Sequence, residues 1–412
     1  MAGENTQATY DAYKERYAQG GPQNVVPNSA ILRRLIRMSD ELTGDSYQQA
    51  VTLTLEHGFS YGGASSTAAL TLSNPVAATV KPASSSGYSL TGRARVTYAA
   101  ASRAATSQQA FGKLWDQILV NLKLGHEKRA ELSFLRGQKG LGIVQGVNTG
   151  VITITPESWS PTIWAGMEGA VLEAFTTDAA TATQHDGDLV ITKVNFANRQ
   201  ITVSGTSTSV AQNDVLFFKG AKTTTSWNEG AGLVKIAQNS GTLFGIDAAS
   251  YALWAGNTVS SFGTPSMGKF LAAATMAVDK GLEEKVMLLV NPMAWEYLNA
   301  DLASSREFDG SYTREKAENG AQRISYYGQS GEMEVRAHPY LWRSEAVIFP
   351  LSPYLRVGSA DVGMGVPGLP DSNNIFFHDT STDTMEARTF SDVAMFCRQP
   401  STSVYISGIS YP

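Results

Sequence analysis

Residues 1–30 contain few apolar positions and no periodicity, and they are rich in Gln, Asn, Gly and Pro. They predict an extended arm. The segment AILRRLIRMSDEL comes next, with Ile31, Leu32, Leu35, Ile36 and Met38 apolar and Arg33, Arg34 and Arg37 between them, a short helical patch. In VTLTLEHGFSYGG, Val51, Leu53 and Leu55 alternate with polar residues, which is a strand signal. Residues 58–90 are dominated by Gly, Ala, Ser and Thr and are interrupted by Pro75 and Pro82. Alternation returns in LTGRARVTYAAA, where Ala94, Val96 and Tyr98 oppose Arg93, Arg95 and Thr97. Two alternating strands flanking a small-residue excursion predict a long two-stranded flap over 46–104. It has too few large apolar side chains to form a core of its own.

The period then changes. Across 106–136, Phe111, Leu114, Trp115, Ile118, Leu119 and Leu122 recur at helical spacing. Thr106 or Ser107 is placed to cap the start and Gly137 to supply a left-handed stop. Such a helix is roughly 45 Å long. Its stripe weakens near Gly125 and resumes at Leu132 and Leu135, which predicts a bend. Phe111, Trp115, Ile118 and Leu122 are expected to pack on the chain's own sheet. From 141 to 250 the pattern is β again, in GVITITPESWS, GDLVITKVNFANRQITVSG and NDVLFFKG, with Asn198-Arg199 as a hairpin turn. The short, regular strands predict a small barrel or sandwich inserted as a self-contained unit. Beyond it, SMGKFLAAATMAVDKGLEEK (266–285) is helical, VMLLVNP is a buried strand, and MAWEYLNADLASS is a second helix. After a polar, Gly-rich stretch at 306–332, strands recur to the C-terminus, giving an α+β chain.

Composition narrows the function classes. The 412 residues suffice for two or three domains or one elaborate fold. Hydrophobic residues make up 42% and charged residues only 17%, below the usual quarter, which suits β-rich structure with long loops. The net charge of -5 argues against a dedicated nucleic-acid binder, which would show a basic face. A lone cysteine, Cys397, excludes an intramolecular disulfide and a Cys-based metal site. The polar N-terminus lacks the apolar region of a signal peptide, and no run of about 18 apolar residues exists to span a membrane. The expectation is synthesis in a cytosol, without a membrane partner.

Four motifs invite chemistry. Gly58-Phe59-Ser60-Tyr61-Gly62 matches the G-x-S-x-G elbow of serine hydrolases. That elbow needs a core strand turning into a helix, and the residues after Ser60 lack helical spacing. GTPSMGKF, Gly263 to Phe270, approaches a phosphate-binding loop but lacks the Ser/Thr after Lys269 that would ligate magnesium. GLGIVQG, Gly140 to Gly146, comes after a helix where a dinucleotide site needs a strand. The five histidines, His57, His126, His185, His338 and His378, form no i,i+4 pair. Arg33, Arg34 and Arg37 fit salt bridges better than a nucleic-acid site. No catalytic, cofactor-binding or metal-binding residue is therefore assigned.

What remains is the order of parts: arm, long flap, long helix, β insertion, α+β region. An arm and a flap without a core make sense when neighbouring subunits bury them. This order resembles the major capsid proteins of tailed bacteriophages, the Hong Kong 97-type fold. The stretch ATVKPASSSGYSLTGRARVTY is similar to the return of their E-loop, KVMLLVNPMAWEYL to the buried strand, Asn-Pro and aromatic helix of their A-domain, and MFCRQPSTSVYISGI to their closing P-domain strand. The resemblance implies an N-terminal arm over 1–45, an E-loop over 46–104 and a P-domain spine helix over 105–140. It further implies an inserted β-rich domain over 141–250, an A-domain with P-domain segments over 251–390, and a C-terminal P-domain strand over 391–412.

The function so implied is a non-enzymatic subunit that self-assembles into hexamers and pentamers of an icosahedral head. The head encloses double-stranded DNA without sequence-specific binding. Scaffold, portal and decoration proteins are the other partners implied, and the virion, made in the host cytoplasm, is the location. The long N-terminal scaffolding-like segment of some members is missing, so a separate scaffold or a short arm is expected to serve. Some members cross-link through isopeptide bonds. Lys81, Lys113 and Lys139 are present here, but no acceptor-plus-catalyst set matches. The alternatives are a tail-tube or decoration subunit, an encapsulin-like shell protein, and a hydrolase using Ser60.

Overall fold

Where the apolar stripe is strongest the chain forms its longest helix, and the alternating segments around it divide among several sheets. The computed structural model describes residues 26–27, 29–39, 45–64, 69–99, 108–205, 207, 209–304, 324–329, 331–364, 376–378 and 382–411. Most of the expected arm, the caps Thr106 and Ser107, and the polar stretch 306–323 lie outside the described residues. So do the side chains of Phe111, Lys113, Leu114, Trp115 and His378.

One turn of helix, α1 (Ile31–Leu35), buries Leu32. Strands β1 (Tyr47–Thr52) and β2 (Val80–Ser85) then form an antiparallel ribbon, Tyr47 opposite Ser85 and Thr52 opposite Val80. The first expected strand therefore begins before Val51 and stops at Thr52. Beyond the ribbon, 53–64 and 69–79 are joined by a Leu53 N–H bond to the Thr79 carbonyl (2.8 Å) and a bridge between His57 and Val76, but form no strand, because Gly58, Gly62, Gly63 and Pro75 break regular pairing. The second alternating segment is a strand, β3 (Ser89–Thr97), but it does not pair with β1 as a two-stranded flap requires. It runs antiparallel to a C-terminal strand, Thr97 opposite Thr384 and Ser89 opposite Asp392. Val96 is buried there with Ala387, against Ile118, Leu119 and Leu122 of the long helix, an apolar cover the Gly/Ser-rich excursion cannot offer.

That helix, α2 (Gln108–Arg136), runs unbroken through Gly125. From His126 on, its surroundings explain the weakened stripe. His126, Lys128, Ala130, Glu131, Leu132, Phe134, Leu135 and Arg136 are all buried, so the helix is enclosed on nearly every side rather than on one face. The left-handed residue after its end is Gln138 (φ 67°), not Gly137. Gly137 answers a different need. A Cβ there would lie 2.2 Å from the carbonyl oxygen of Gly230, where two backbones meet.

Six strands come next: β4 (Gly142–Asn148), β5 (Val151–Ile154), β6 (Val171–Phe175), β7 (Gln184–Asn195), β8 (Gln200–Ser204) and β9 (Val215–Phe218), with the short helix α3 (Pro161–Trp164) after β5. They close into an antiparallel barrel in the order β4-β5-β8-β7-β6-β9. Arg199, in the expected hairpin turn, takes φ 55°. The barrel differs from a self-contained insertion in two ways. Its interior, including Val144, Ile152, Leu172 and Ile201, is continuous with Leu132 and Leu135 of α2 and with Leu289 and Phe349 further on. It also ends at Phe218. Helix α4 (Leu233–Ala237) is buried in the same central core, and the hairpin β10 (Thr242–Leu243) with β11 (Ile246–Asp247) packs beside the ribbon.

The remainder carries β12 (Asn257–Val259), helix α5 (Met267–Val278), β13 (Val286–Val290), helix α6 (Pro292–Ser304), β14 (Ile324–Gly328), β15 (Gly331–Ala337), β16 (Ala346–Pro350), β17 (Tyr354–Met364), β18 (Phe376–His378), β19 (Thr384–Cys397) and β20 (Val404–Ile406). A mixed sheet runs β12-β20-β16-β13-β15-β14. Met287 and Leu289 face the central core, while Val286, Leu288 and Val290 face Phe270 of α5 and Leu298 of α6. Burial on both faces explains why VMLLV is apolar throughout. The second sheet sets β3 on one edge of β19, with β17 and β18 on the other. Gly358 (φ 146°) sits at a bulge in β17, where a Cβ would meet the Asp392 carbonyl oxygen at 2.1 Å. The last segment is not a single closing strand. β19 ends in this sheet, while β20 enters the mixed sheet between β12 and β16.

Candidate assembly surfaces

The chemical motifs resolve into structural contacts. Ser60 Oγ accepts the Ser73 N–H at 2.6 Å and lies 3.2 Å from Ser73 Oγ, which bonds the Phe59 carbonyl. No histidine bonds Ser60 among the described residues, and no helix is formed after it in 61–64 or 69–79. Lys269 turns back on its own loop, donating to the carbonyls of Thr264 (2.9 Å) and Phe262 (3.3 Å), so its ammonium is already engaged. Gly140 (φ 74°) is a helix-to-strand turn packed on Val215. Three histidines sit apart, each on its own partner. His126 bonds Thr389 and Ser391, His185 bonds Asp214, and His338 bonds Glu131. Burial, followed by the charges of Arg33 and Arg129, lowers His126 to about 4. Burial pushes the Cys397 thiol up to about 12, an unreactive sulfur.

Buried polar groups on α2 fasten the parts together. Glu131 accepts the backbone N–H groups of Leu32 (2.6 Å) and Arg33 (3.1 Å) at the start of α1, and also faces His338 Nε2 at 3.0 Å. Arg33 reaches Glu127 and Asp361 (each 3.1 Å), and Arg356 bonds the Ile36 carbonyl and Asp361 (each 2.8 Å). Of the three arginines in this patch, Arg33 thus makes the expected salt bridges. Arg136 pairs with Glu345, which also accepts the Tyr405 hydroxyl at 2.6 Å, and its guanidinium covers the Trp342 ring at 3.4 Å. Helix end, mixed sheet and final strand meet at this buried pair.

Among the described residues, two surfaces stand out as exposed. Beyond the ribbon, Leu55 (73% exposed), Phe59 (74%), Tyr61 (93%) and Leu72 (76%) are exposed with Leu70 and Val76, and Val80 is exposed at the ribbon's end. Fully burying each such side chain would contribute about 1.5–3 kcal/mol. Seven apolar side chains left in water on one projection mark an interaction surface. The second surface is the face of β3 and β19 turned away from α2. There Arg93, Arg95 and Arg388 bond the single Glu386 carboxylate at 2.9, 2.8 and 2.6 Å. Burial opposes ionisation of Glu386, but the hydrogen bonds from Arg95 and Arg388 outweigh it and hold the carboxyl below its ordinary range. Three arginines thus converge on one carboxylate. Arg93 and Arg95 were visible as a polar face in sequence. Their partners were not, although Glu386-Ala387-Arg388 alternates in the same phase.

No sequence-family description matches the chain, and neither does any curated relative. Solved structures do match, over nearly its whole length. A chain of the cyanophage A-1(L) capsid asymmetric unit aligns over 97% of this chain and 98% of its own, at 10% identity and a TM-score of 0.55. Capsid chains of the native and the empty GTA particle align over 97% and 96% of this chain, covering 96% and 95% of theirs, each at 9% identity and a TM-score of 0.50. At such low identity the likeness establishes the fold. The chain is an α+β protein with the fold of Hong Kong 97-type capsid subunits, the resemblance drawn from the order of its parts.

Proposed function

We propose that the chain is the major structural subunit of an icosahedral phage head and performs no catalysis. Copies associate into hexamers and pentamers and close around double-stranded DNA, held without sequence recognition. In this reading residues 1–45 are the arm and the ribbon with its excursion, 46–88, is the E-loop. Helix α2 is the P-domain spine and the mixed sheet the A-domain. β3, β17, β18 and β19 form the P-domain sheet, and the barrel is an addition particular to some members. The location is the virion, with scaffold, portal and decoration proteins as further partners.

The observation that carries the reading is the uncovered projection. A segment exposing Leu55, Phe59, Tyr61 and Leu72, on a chain whose other large apolar side chains are mostly buried, needs a neighbour. Full-length likeness to capsid chains supplies the kind of neighbour, a second copy of the same subunit. Electron microscopy of the purified full chain tests this. Closed uniform shells support it, open tubes would indicate a tail-tube subunit, and a chain that stays monomeric would overturn it. Nucleic acid or a protein cargo inside the native particle separates a phage head from an encapsulin-like compartment.

A further inference from the structure

A cleft of about 200 Å³ lies where α2, the end of β9, the turn at 228–229 and the β3–β19 sheet meet. That is several times the roughly 30 Å³ a water molecule occupies. Arg129 of α2 enters it with its guanidinium stacked on the Phe218 ring at 4.2 Å. Among the described residues no carboxylate or carbonyl accepts a hydrogen bond from Arg129. The Tyr88 and Ser133 hydroxyls that share the cleft also bond no protein atom there. The other charged groups at the rim are committed. Lys219 pairs with Asp188, and Glu229 Oε1 accepts the Gln138 N–H at 2.9 Å.

A half-buried guanidinium lacking an anion is unfavourable, and partial burial pulls the Arg129 pKa below its ordinary value. Burial also pushes Glu229 up to about 7, so near neutrality this carboxyl is substantially protonated and can donate a hydrogen bond. The cleft thus combines a planar cationic fork, two free hydroxyls and an aromatic floor.

We infer that the cleft binds a carboxylate, held by the Arg129 fork and the Tyr88 hydroxyl over the Phe218 ring. The geometry favours a carboxylate over a phosphate, because Arg129 offers one planar fork while Lys219 at the rim is already paired with Asp188, so the second charge of a dianion would go unmatched. The carboxylate has two possible sources, a small free acid or an Asp or Glu side chain of a second copy of this chain. The inference does not depend on the shell reading.

The test uses the full chain, dissociated into subunits, with sodium acetate as the probe against sodium chloride at constant ionic strength. Acetate is expected to raise the unfolding temperature saturably, while methylammonium chloride does not. Arg129→Met should abolish the increment, and Arg129→Lys should weaken acetate binding about tenfold by losing the fork. If Arg129→Met folds poorly, the Arg129 Nε–H resonance of the unaltered chain, which should move on acetate addition, replaces it. Assembled particles distinguish the source. An increment seen only in dissociated subunits means a neighbour's side chain fills the cleft, and one seen in both means a free acid does. No difference between acetate and chloride, or an increment that survives Arg129→Met, overturns the inference.

Discussion

Removing the Glu131 carboxylate should detach the N-terminal segment from the rest of the molecule. Glu131 and His338 are both fully buried, and the carboxylate accepts three hydrogen bonds: two from the backbone at the start of α1 and one from the His338 ring. The Tyr340 N–H donates to His338 Nδ1 at 3.3 Å, so Nε2 carries the proton that faces Glu131. Glu131→Ala leaves the molecule two responses. Either the three donors stay buried without acceptors, at about 1–3 kcal/mol each, or α1 leaves and exposes Leu32 and Ile36, at about 1.5–3 kcal/mol each. The first route costs about 3–9 and the second about 3–6 kcal/mol, so the cheaper route sets an expected loss of about 3–6 kcal/mol.

Urea unfolding of dissociated subunits measures the loss, and limited proteolysis within 29–39 separates the two routes. Early cleavage there means that α1 has left. Glu131→Gln retains the shape and one acceptor oxygen, and should cost about half as much. His338→Ala combined with Glu131→Ala should cost less than the sum of the two single changes, since both remove one bond. A loss below about 1 kcal/mol for Glu131→Ala, with unchanged proteolysis, would refute the anchoring role.

The same geometry sets other expectations. Ser60→Ala should leave folding and assembly unchanged, and a fluorophosphonate should not label the chain; stoichiometric labelling at Ser60 would restore the hydrolase reading. Replacing residues 55–76 with a short Gly-Ser linker should leave the unfolding temperature nearly unchanged and abolish large particles in analytical ultracentrifugation. Trp254→Ala should cost about 3–5 kcal/mol in chemical unfolding, because a fully buried indole that also bonds the Leu243 carbonyl at 2.9 Å would be lost. Glu229 is raised from 4.5 to about 7, so the folded state holds its proton more tightly than the unfolded chain. Its contribution to stability is therefore present below about pH 4.5 and lost as pH rises to about 7, and Glu229→Gln should flatten that slope in denaturation curves.

Sequence pattern revealed those parts of the fold in which one residue's neighbours in the chain share its environment. Helix α2, the barrel strands and the Val286–Val290 strand each repeat one relation to the core over several residues, so period alone exposes them. Pairing is a relation between distant residues, and period carries no record of it. Ser89–Thr97 has the alternation of a strand whether it meets Tyr47–Thr52 or Thr384–Asp392. What decides is the apolar cover that α2 gives to Val96 and Ala387. The barrel's continuity with the central core was hidden for the same reason, since a strand reads alike whether its inner face meets its own barrel or a neighbouring helix.

The candidate surfaces show the complementary limit. The excursion beyond the ribbon could be recognised as lacking a core because its composition is small and polar overall. Yet Leu55, Phe59, Tyr61 and Leu72 gain their meaning only from being exposed together, which composition does not reveal. Buried charge is harder still. Glu131, Lys128 and Arg136 look like the solvent face of an amphipathic helix, and in a helix enclosed on one side they would be. Here each is held by a specific distant partner: Glu131 by α1 and His338, Lys128 by the Ala165 carbonyl at 2.6 Å, Arg136 by Glu345. Arg129 lies on the same stretch of helix and is the exception, with an aromatic ring as its sole described partner. Its buried neighbours show how this fold treats charge: each is given a partner from another part of the chain. The half-buried Arg129 has no such partner among the described residues, and that is the physical reason to look for one outside the chain.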